Sequence, residues 1–211
     1  MYNLLSNEYV EFDILSPDYL NKSEIDITID NKRIEFNKKY KFNKEGLHDI
    51  NFYINSNETM DYMFKNITYL IEVELYSRKN IIIKSMIGSF QNCTNLSNFK
   101  NDGFDISQVK NMSNLFYNTN LEYFEFDEFN ALNVINMSQM FKNCKNLTNI
   151  NITNFITEKT IDFSGFLEGC HSLINFNINS KKAINTKNMS KMFKDCESLI
   201  NLDLTNFNTI Y

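Results

Sequence analysis

The apolar residues of this chain follow a pattern that returns about every 26 residues. In one clear copy, Met189, Met192, Phe193 and Cys196 occupy positions i, i+3, i+4 and i+7. The six copies are separated by 26, 26, 25, 26 and 26 positions and begin at Met60, Met86, Met112, Met137, Phe163 and Met189. A fixed period of this length is typical of solenoids, whose stacked units share one continuous core.

Within each unit the apolar spacing changes from a helical to an extended period. The spacing i, i+3, i+4, i+7 predicts a short helix with one apolar face. It is followed by Leu199, Leu202 and Leu204, whose alternation predicts a short strand. Stacking would align the strands in one parallel sheet on one face, with the short helices on the other face. We therefore expect an α/β solenoid of about six 25–26-residue units over residues 58–211.

Residues 1–57 do not carry the repeat. The segment Ile25–Asp30 alternates apolar and polar residues, a turn follows at Asn31 and Lys32, and further alternation returns at Ile50–Ile54. This pattern predicts at least one β-hairpin. We expect a small N-terminal β-rich capping region that covers the apolar flank of the first unit.

The strand segment, L-x-x-L-x-L, has the form of a leucine-rich-repeat core. The longer form N-M-S-x-M-F-x-x-C, seen at Asn136–Cys144 and Asn188–Cys196, resembles the 26-residue repeats of BspA-like surface proteins. This resemblance covers roughly residues 58–211. It implies a right-handed leucine-rich-repeat superhelix and a role at the cell surface, such as adhesion. Asn101 replaces an apolar strand residue, so we expect an irregular strand near Phe99–Phe104.

All four cysteines occupy one position of the repeat, and they are Cys93, Cys144, Cys170 and Cys196. Ile67 and Thr119 fill that position in the first and third units, which favours a small buried packing site with free thiols. Disulfides between neighbouring units are the alternative, because stacked strands lie about 5 Å apart.

Charge and composition argue against several classes of function. A net charge of −5 argues against a nucleic-acid partner. The sequence has no apolar run of about 18 residues, so we expect no membrane insertion. The chain has two histidines, five glycines and no C-x-x-C motif. We therefore expect no catalytic residues, no metal site and no cofactor, and hence no enzyme.

The best candidates for function are the polar residues that point outward from the predicted strands, because solenoids bind partners on the sheet face. The first and third units carry acidic residues and tyrosines, and the later units carry mainly asparagines. These asparagines could also hydrogen-bond to one another along the stack, in a purely structural role. The expected partner-binding residues are Glu72, Glu74, Tyr76, Tyr123, Glu125, Asp127, Asn149, Asn151, Asn175, Asn177, Asn201 and Asp203.

These features predict a non-enzymatic protein–protein recognition module, with cell-surface adhesion as the favoured role. The alternative is an intracellular structural or scaffold subunit of a larger assembly. The resemblance implies a cell-surface or extracellular location, whereas the lack of signal-peptide features in residues 1–8 leaves a cytoplasmic location open. The sequence stops at Tyr211, just after the last predicted strand. We therefore expect either that the natural protein is longer or that this uncapped C-terminal end meets a partner or self-associates with a second copy.

Overall fold

The computed structural model describes residues 2–4, 11–20, 25–54, 59–76, 81–125, 132–151, 158–177 and 185–204. These ranges contain strands, turns and bends, and no helix. The thirteen strands, in chain order, are β1 (Tyr2–Leu4), β2 (Glu11–Asp13), β3 (Ile25–Ile29), β4 (Lys32–Ile34), β5 (Lys39–Lys41), β6 (Gly46–His48), β7 (Ile50–Ile54), β8 (Glu72–Tyr76), β9 (Asn98–Asp102), β10 (Tyr123–Glu125), β11 (Asn149–Asn151), β12 (Asn175–Asn177) and β13 (Asn201–Asp203).

The first seven strands pair only in antiparallel fashion. β1 pairs with β6, β2 pairs with β5, and β3 lies between β4 and β7. Alternate residues of β3 are buried, namely Ile25, Ile27 and Ile29. Asp30 and Asn31 both have positive φ, at 48° and 64°, as a tight hairpin turn between twisted strands requires.

The last six strands pair only in parallel fashion, but they form two sheets. β8 pairs with β9, and β10 to β13 form a separate four-stranded sheet in chain order. The expected single parallel sheet is therefore wrong. At the break, Asn101 accepts a hydrogen bond from the Phe104 amide at 3.1 Å and donates to the Phe104 carbonyl. This polar residue, at a position that is apolar in other units, forms a local turn at the end of β9.

The segments expected to be short helices are instead series of tight turns. In the first unit, alternate amides donate to carbonyls of the next unit at 2.8–2.9 Å, in the pairs Met60–Ser85, Tyr62–Ile87, Phe64–Ser89 and Asn66–Gln91. The amides between them donate to carbonyls three residues back, in the pairs Met63–Met60, Lys65–Tyr62 and Ile67–Phe64. Alternate backbone amides, which would donate within the segment in a helix, therefore donate to the neighbouring unit.

Two residues of each turn segment have positive φ, close to 60° in most cases, which a right-handed helix does not allow. They are Tyr62, Asn66, Gly88, Asn92, Asn114, Asn118, Gln139, Asn143, Gly165, Gly169, Lys191 and Asp195. The expected α/β leucine-rich-repeat solenoid, with helices on one face, is therefore wrong. The apolar spacing wrongly predicted helices because these turns bury the residues at positions i, i+3, i+4 and i+7, as a helix would. Met60, Met63, Phe64 and Ile67 are each at most 6% exposed.

In the third, fourth and sixth units the Asn-Met-Ser motif has a structural role at the start of the turn segment. Its asparagine side chain accepts a hydrogen bond from the serine amide two residues later, at 2.8–3.1 Å, in Asn111, Asn136 and Asn188. Asp162 makes the same bond to Ser164, so the carboxylate replaces the amide without loss of the turn. These four residues also pair with their neighbours in isolated parallel bridges along the stack.

Phenylalanines form a column through the core of the stacked units. The rings of Phe64, Phe90, Phe116 and Phe141 stack successively, with centroids 5.4–5.6 Å apart. The N-terminal strands join the same core, because Phe52 packs edge-on against Phe64 at 5.1 Å. The amide of Ser16 also donates to the Met63 carbonyl at 2.8 Å.

The four cysteines are free thiols, as their position in the repeat predicts. Each thiol donates to a carbonyl of the preceding unit at 3.0–3.1 Å, in the pairs Cys93–Phe64, Cys144–Phe116, Cys170–Phe141 and Cys196–Leu167. Burial raises the pKa of Cys93 to about 12 and that of Cys144 to about 11. The disulfide alternative does not apply to these side chains.

A substitution pair at Lys191 distinguishes the turns from helices. Lys191 is exposed and has a φ of 58°. Because glycine adopts positive φ without steric cost, Lys191→Gly should be more stable than Lys191→Ala by about 0.5–1 kcal/mol. A helix predicts the opposite order by about 1 kcal/mol. Urea unfolding monitored by circular dichroism gives the difference.

The neighbouring residue Ser190 is the matched control. It is also exposed, and its φ is not positive. Here Ser190→Gly should be less stable than Ser190→Ala, because glycine has more conformational freedom to lose on folding. A stability difference between the glycine and alanine variants that has the same sign at positions 190 and 191 would contradict the turn geometry.

Thiol reactivity tests the packing of the cysteines. In the native protein at about pH 8, Cys93, Cys144 and Cys170 should resist a disulfide exchange reagent, since they are buried and their thiolates are disfavoured. Cys196 is only partly buried and should react first. Mass spectrometry after timed labelling identifies the order, and equal rates at all four cysteines would contradict this packing.

Candidate functional site

A cleft of about 530 Å³ lies between the antiparallel strands and the first parallel pair. Every residue of β7 and every residue of β8 lines it. β7 follows β6 in the chain after a single residue, Asp49, and β8 follows the first turn segment. The contact between Phe52 and Phe64 joins these two parts of the chain beside the cleft.

Apolar side chains form much of the walls of the cleft. β7 contributes Ile50, Phe52 and Ile54, and β8 contributes Val73 and Leu75. All five side chains pack against the core but are only partly buried. Apolar walls that keep some contact with solvent are typical of surfaces that bind a ligand or a partner.

The charge of the cleft is of one sign. Asp49, Glu72, Glu74 and Asp105 line it, and its lining residues include no lysine, arginine or histidine. Lys100 lies outside the lining, with its Nζ 3.9 Å from Glu72 Oε1. With one lysine beside four carboxylates, the cleft keeps an excess of negative charge, which favours a positively charged ligand.

Two tyrosines add aromatic surface to the cleft. Tyr76 is 56% exposed at the end of β8, and Tyr53 lies on β7. A hydrogen bond with the Glu74 carboxylate raises the pKa of Tyr76, so its hydroxyl stays protonated and donates to that carboxylate. Tyrosine with an exposed ring and an anchored hydroxyl is common at protein interfaces.

A buried histidine supports the edge of the cleft. His48 Nδ1 lies 2.8 Å from Asp30 Oδ2, and His48 Nε2 lies 2.9 Å from the Lys44 carbonyl. The other oxygen of Asp30 accepts a hydrogen bond from the Asp49 amide at 3.2 Å. The hydrogen bond to His48 lowers the pKa of Asp30. This network ties the hairpin turn to the residue that precedes β7.

The structure places the expected partner-binding residues in two groups on separate sheets. Glu72, Glu74 and Tyr76 lie on β8 in the cleft. The second group lies on the four-stranded sheet, where Tyr123, Asn149, Asn175 and Asn201 align across β10 to β13. In a second row, Glu125 pairs with Asn151 and Asn177 pairs with Asp203. Asp127 lies outside the described residues.

Part of the second group is engaged in contacts within the protein. Asn201 donates to the Asn175 side chain at 2.7 Å, and the Tyr123 hydroxyl donates to Glu125. On the first sheet, Asn98 donates to Glu72 at 2.8 Å. The contact between Asn201 and Asn175 matches the structural role considered for the asparagines. The cleft is the stronger candidate site because it combines apolar side chains with four carboxylates.

Sequence reasoning missed the half of the cleft that comes from the N-terminal strands. Asp49 and β7 were interpreted only as part of a capping region, and Asp105 was not assigned to any surface. The alternation in Ile50–Ile54 identifies a strand, but it does not show which other strand lies opposite. No local signal in the sequence pairs residues 49–54 with residues 72–76.

The described residues contain no group of three or more histidine, cysteine or acidic residues placed to hold a metal ion. In the same part of the chain, no helix is long and apolar enough to cross a membrane.

The fold is that of an all-β protein in which units of tight turns and short strands stack in parallel register. A family model described as "Mycoplasma protein of unknown function, DUF285" matches residues 26–123 and 118–210. Because these segments include most of the chain, the protein belongs to this family. No curated protein matches the chain, and no solved structure matches it.

The family match corrects the resemblance inferred from the repeat motif. The assignment to BspA-like leucine-rich-repeat surface proteins is wrong, since the matching family is the DUF285 family. The N-M-S-x-M-F-x-x-C motif that suggested it specifies tight turns here, with positive φ at two positions per unit. The first matched segment also begins inside the expected N-terminal region, at residue 26.

The hydrogen bond between His48 and Asp30 predicts a dependence of stability on pH. Since the folded pKa of Asp30 is lowered, its ionised form stabilises the fold above the unfolded pKa of about 4. This contribution is lost as the pH falls through the folded pKa. Asp30→Asn should therefore lower stability at neutral pH, and its difference from the unsubstituted protein should shrink in acid. Urea unfolding across this pH range measures the effect.

The exposed carboxylate Glu45 offers the control for that experiment, because it lies in the same antiparallel region. Glu45→Gln should leave the pH dependence of unfolding almost unchanged. An Asp30→Asn difference that stays constant from neutral pH into acid would contradict the role of the Asp30 carboxylate.

Proposed function

We propose that this protein is a non-enzymatic recognition module that binds a protein partner at the cleft between β7 and β8. The observation that carries the proposal is the combination of apolar walls with four carboxylates in one cleft. Apolar contact provides affinity, and the carboxylates select the charge of the partner. Tyr76 on β8 and Tyr123 on β10 are exposed and offer aromatic contacts to a partner.

Site-specific crosslinking tests this proposal. A photoreactive amino acid at position 76 should crosslink a protein from the source cells, because Tyr76 is exposed at the cleft. The same group at position 94 is the control, since Thr94 is exposed and lies outside the cleft. Quantitative mass spectrometry should recover a protein enriched at position 76 relative to position 94, and enrichment should fall when Val73 is changed to Lys. Equal recovery at both positions would contradict recognition at the cleft.

The cellular location of this function requires its own experiment. The expected cell-surface role rested on the BspA-like resemblance, and it stays a prediction without that resemblance. Protease treatment of intact source cells should release peptides of this chain if the partner is extracellular. Protection until the cells are lysed would place recognition inside the cell.

A second candidate function, as a structural subunit of an assembly, is favoured by the last described unit. In the unit before it, four amides donate to carbonyls of the next unit, in the pairs Phe163–Asn188, Gly165–Ser190, Leu167–Met192 and Gly169–Lys194. The corresponding amides of the last unit belong to Met189, Lys191, Phe193 and Asp195. Among the described residues, no carbonyl accepts from them.

The apolar side chains of this last unit are also less covered. Leu202 is 47% exposed, whereas Ile150 and Phe176 in the equivalent positions are 3% and 1% exposed. A further unit of the same pattern, with carbonyls at the same spacing, would satisfy both the amides and the side chains. Sedimentation of the purified chain tests this candidate: Leu202→Lys should reduce association, and a monomer at all concentrations would contradict it.

A further inference from the structure

The cleft lies between the edges of two different sheets. β7 is an edge strand of the sheet formed with β3 and β4, and β8 is an edge strand of its pair with β9. One edge of each strand is paired with its neighbour, and no other described strand pairs with the opposite edge. Because all residues of both strands line the cleft, two strand edges border the same space.

Strand edges of this kind can bind an extended chain. Along a strand, backbone N–H and C=O groups point alternately to either side, so each edge presents donors and acceptors at regular intervals. An extended segment that enters beside an edge strand forms main-chain hydrogen bonds with it. The five residues of β7 and the five residues of β8 provide edges of matching length.

The side chains of the cleft indicate the chemistry of such a segment. Val73 and Leu75 on β8 are partly buried against the core, whereas Glu74 and Tyr76 are exposed. A strand beside β8 places its own side chains alternately on the same two faces. Apolar residues would then meet Val73 and Leu75, and basic residues would meet the carboxylates.

We propose that the cleft binds an extended segment of a protein partner, with alternating apolar and basic residues, as an added β-strand between β7 and β8. This inference rests on the proposed function, because it specifies the partner for the same cleft. Main-chain hydrogen bonds supply affinity that does not depend on the exact sequence of the segment. Asp49, Glu72, Glu74 and Asp105 select a basic segment over an acidic one.

Fluorescent peptides provide the direct test on the full chain. The probe is a peptide of alternating lysine and valine about nine residues long, which spans the five-residue strands. Fluorescence anisotropy should show saturable binding that weakens with added salt. The corresponding peptide of glutamate and valine should bind at least about tenfold more weakly. Equal binding of the two peptides would overturn the charge selection.

Backbone methylation separates strand addition from attraction by charge alone. A lysine–valine peptide with N-methyl groups on alternate residues keeps its charge and side chains but loses amide donors. If it is added as a strand, its affinity should fall by at least about tenfold. Methylated and unmethylated peptides of equal affinity would overturn strand addition.

Protein variants locate the binding to the cleft. The double variant Glu74→Gln, Asp105→Asn should weaken binding of the lysine–valine peptide by about tenfold. The double variant Glu45→Gln, Glu158→Gln is the matched control, because it removes the same number of charges from exposed residues outside the cleft, and it should change binding little. Equal loss in both variants would show binding elsewhere and overturn the inference.

The crosslinking experiment distinguishes a failure of the added-strand inference from a failure of the proposed function. A protein crosslinked at position 76 but not at position 94, together with no peptide binding, would reject the basic strand and retain recognition at the cleft. The absence of both signals would reject the inference and the proposed function together.

Discussion

The structure depends on backbone hydrogen bonds that join each turn segment to the next unit. Alternate amides of a segment donate along the stack, as from Phe116 to the Met140 carbonyl at 2.9 Å, and the amides between them close tight turns. A helix would satisfy the same groups within one unit and leave its neighbours joined only by side chains. Here each unit needs the next one, because half of its turn amides find their acceptors there. Positive φ at two residues per segment follows from this arrangement, since it turns alternate amides toward the neighbouring unit.

The same dependence explains where the candidate site lies. Stacking covers both sides of an interior unit, so Phe116, Phe141 and Cys144 are fully buried. The first unit has no preceding unit of the same kind and packs instead against the antiparallel strands, through Phe52 and Ser16. β7 and β8 belong to separate sheets, and the cleft opens between them. The acidic residues of this junction come from both parts of the chain, so the packing of the two parts creates both the shape of the cleft and its negative charge.

The sequence predicts the repeat, its register, the buried residues and the free thiols well, because each rests on apolar periodicity. The prediction of short helices is wrong, since turns with positive φ bury residues at the same sequence spacing as a helix does. A signal was available: nine of the twelve positive-φ positions are glycine, asparagine or aspartate, such as Gly88 and Asn92. Asparagine and glycine at two fixed positions per unit are unfavourable in helices and favourable at positive φ. Half of the cleft was also missed, because the position of β7 opposite β8 depends on packing between distant segments. The expected partner-binding residues of β8 do line the cleft, whereas their role remains a proposal.

The hydrogen bonds between units are tested most directly by a measurement of scalar couplings across hydrogen bonds by nuclear magnetic resonance. Such a coupling identifies the carbonyl that accepts from a given amide. The structure predicts a coupling from the Phe116 amide nitrogen to the Met140 carbonyl carbon in the next unit. It predicts the same relation from the Phe141 amide to the Phe166 carbonyl. Couplings from Phe116 to the carbonyl of Met112, four residues back as in an α-helix, would contradict it.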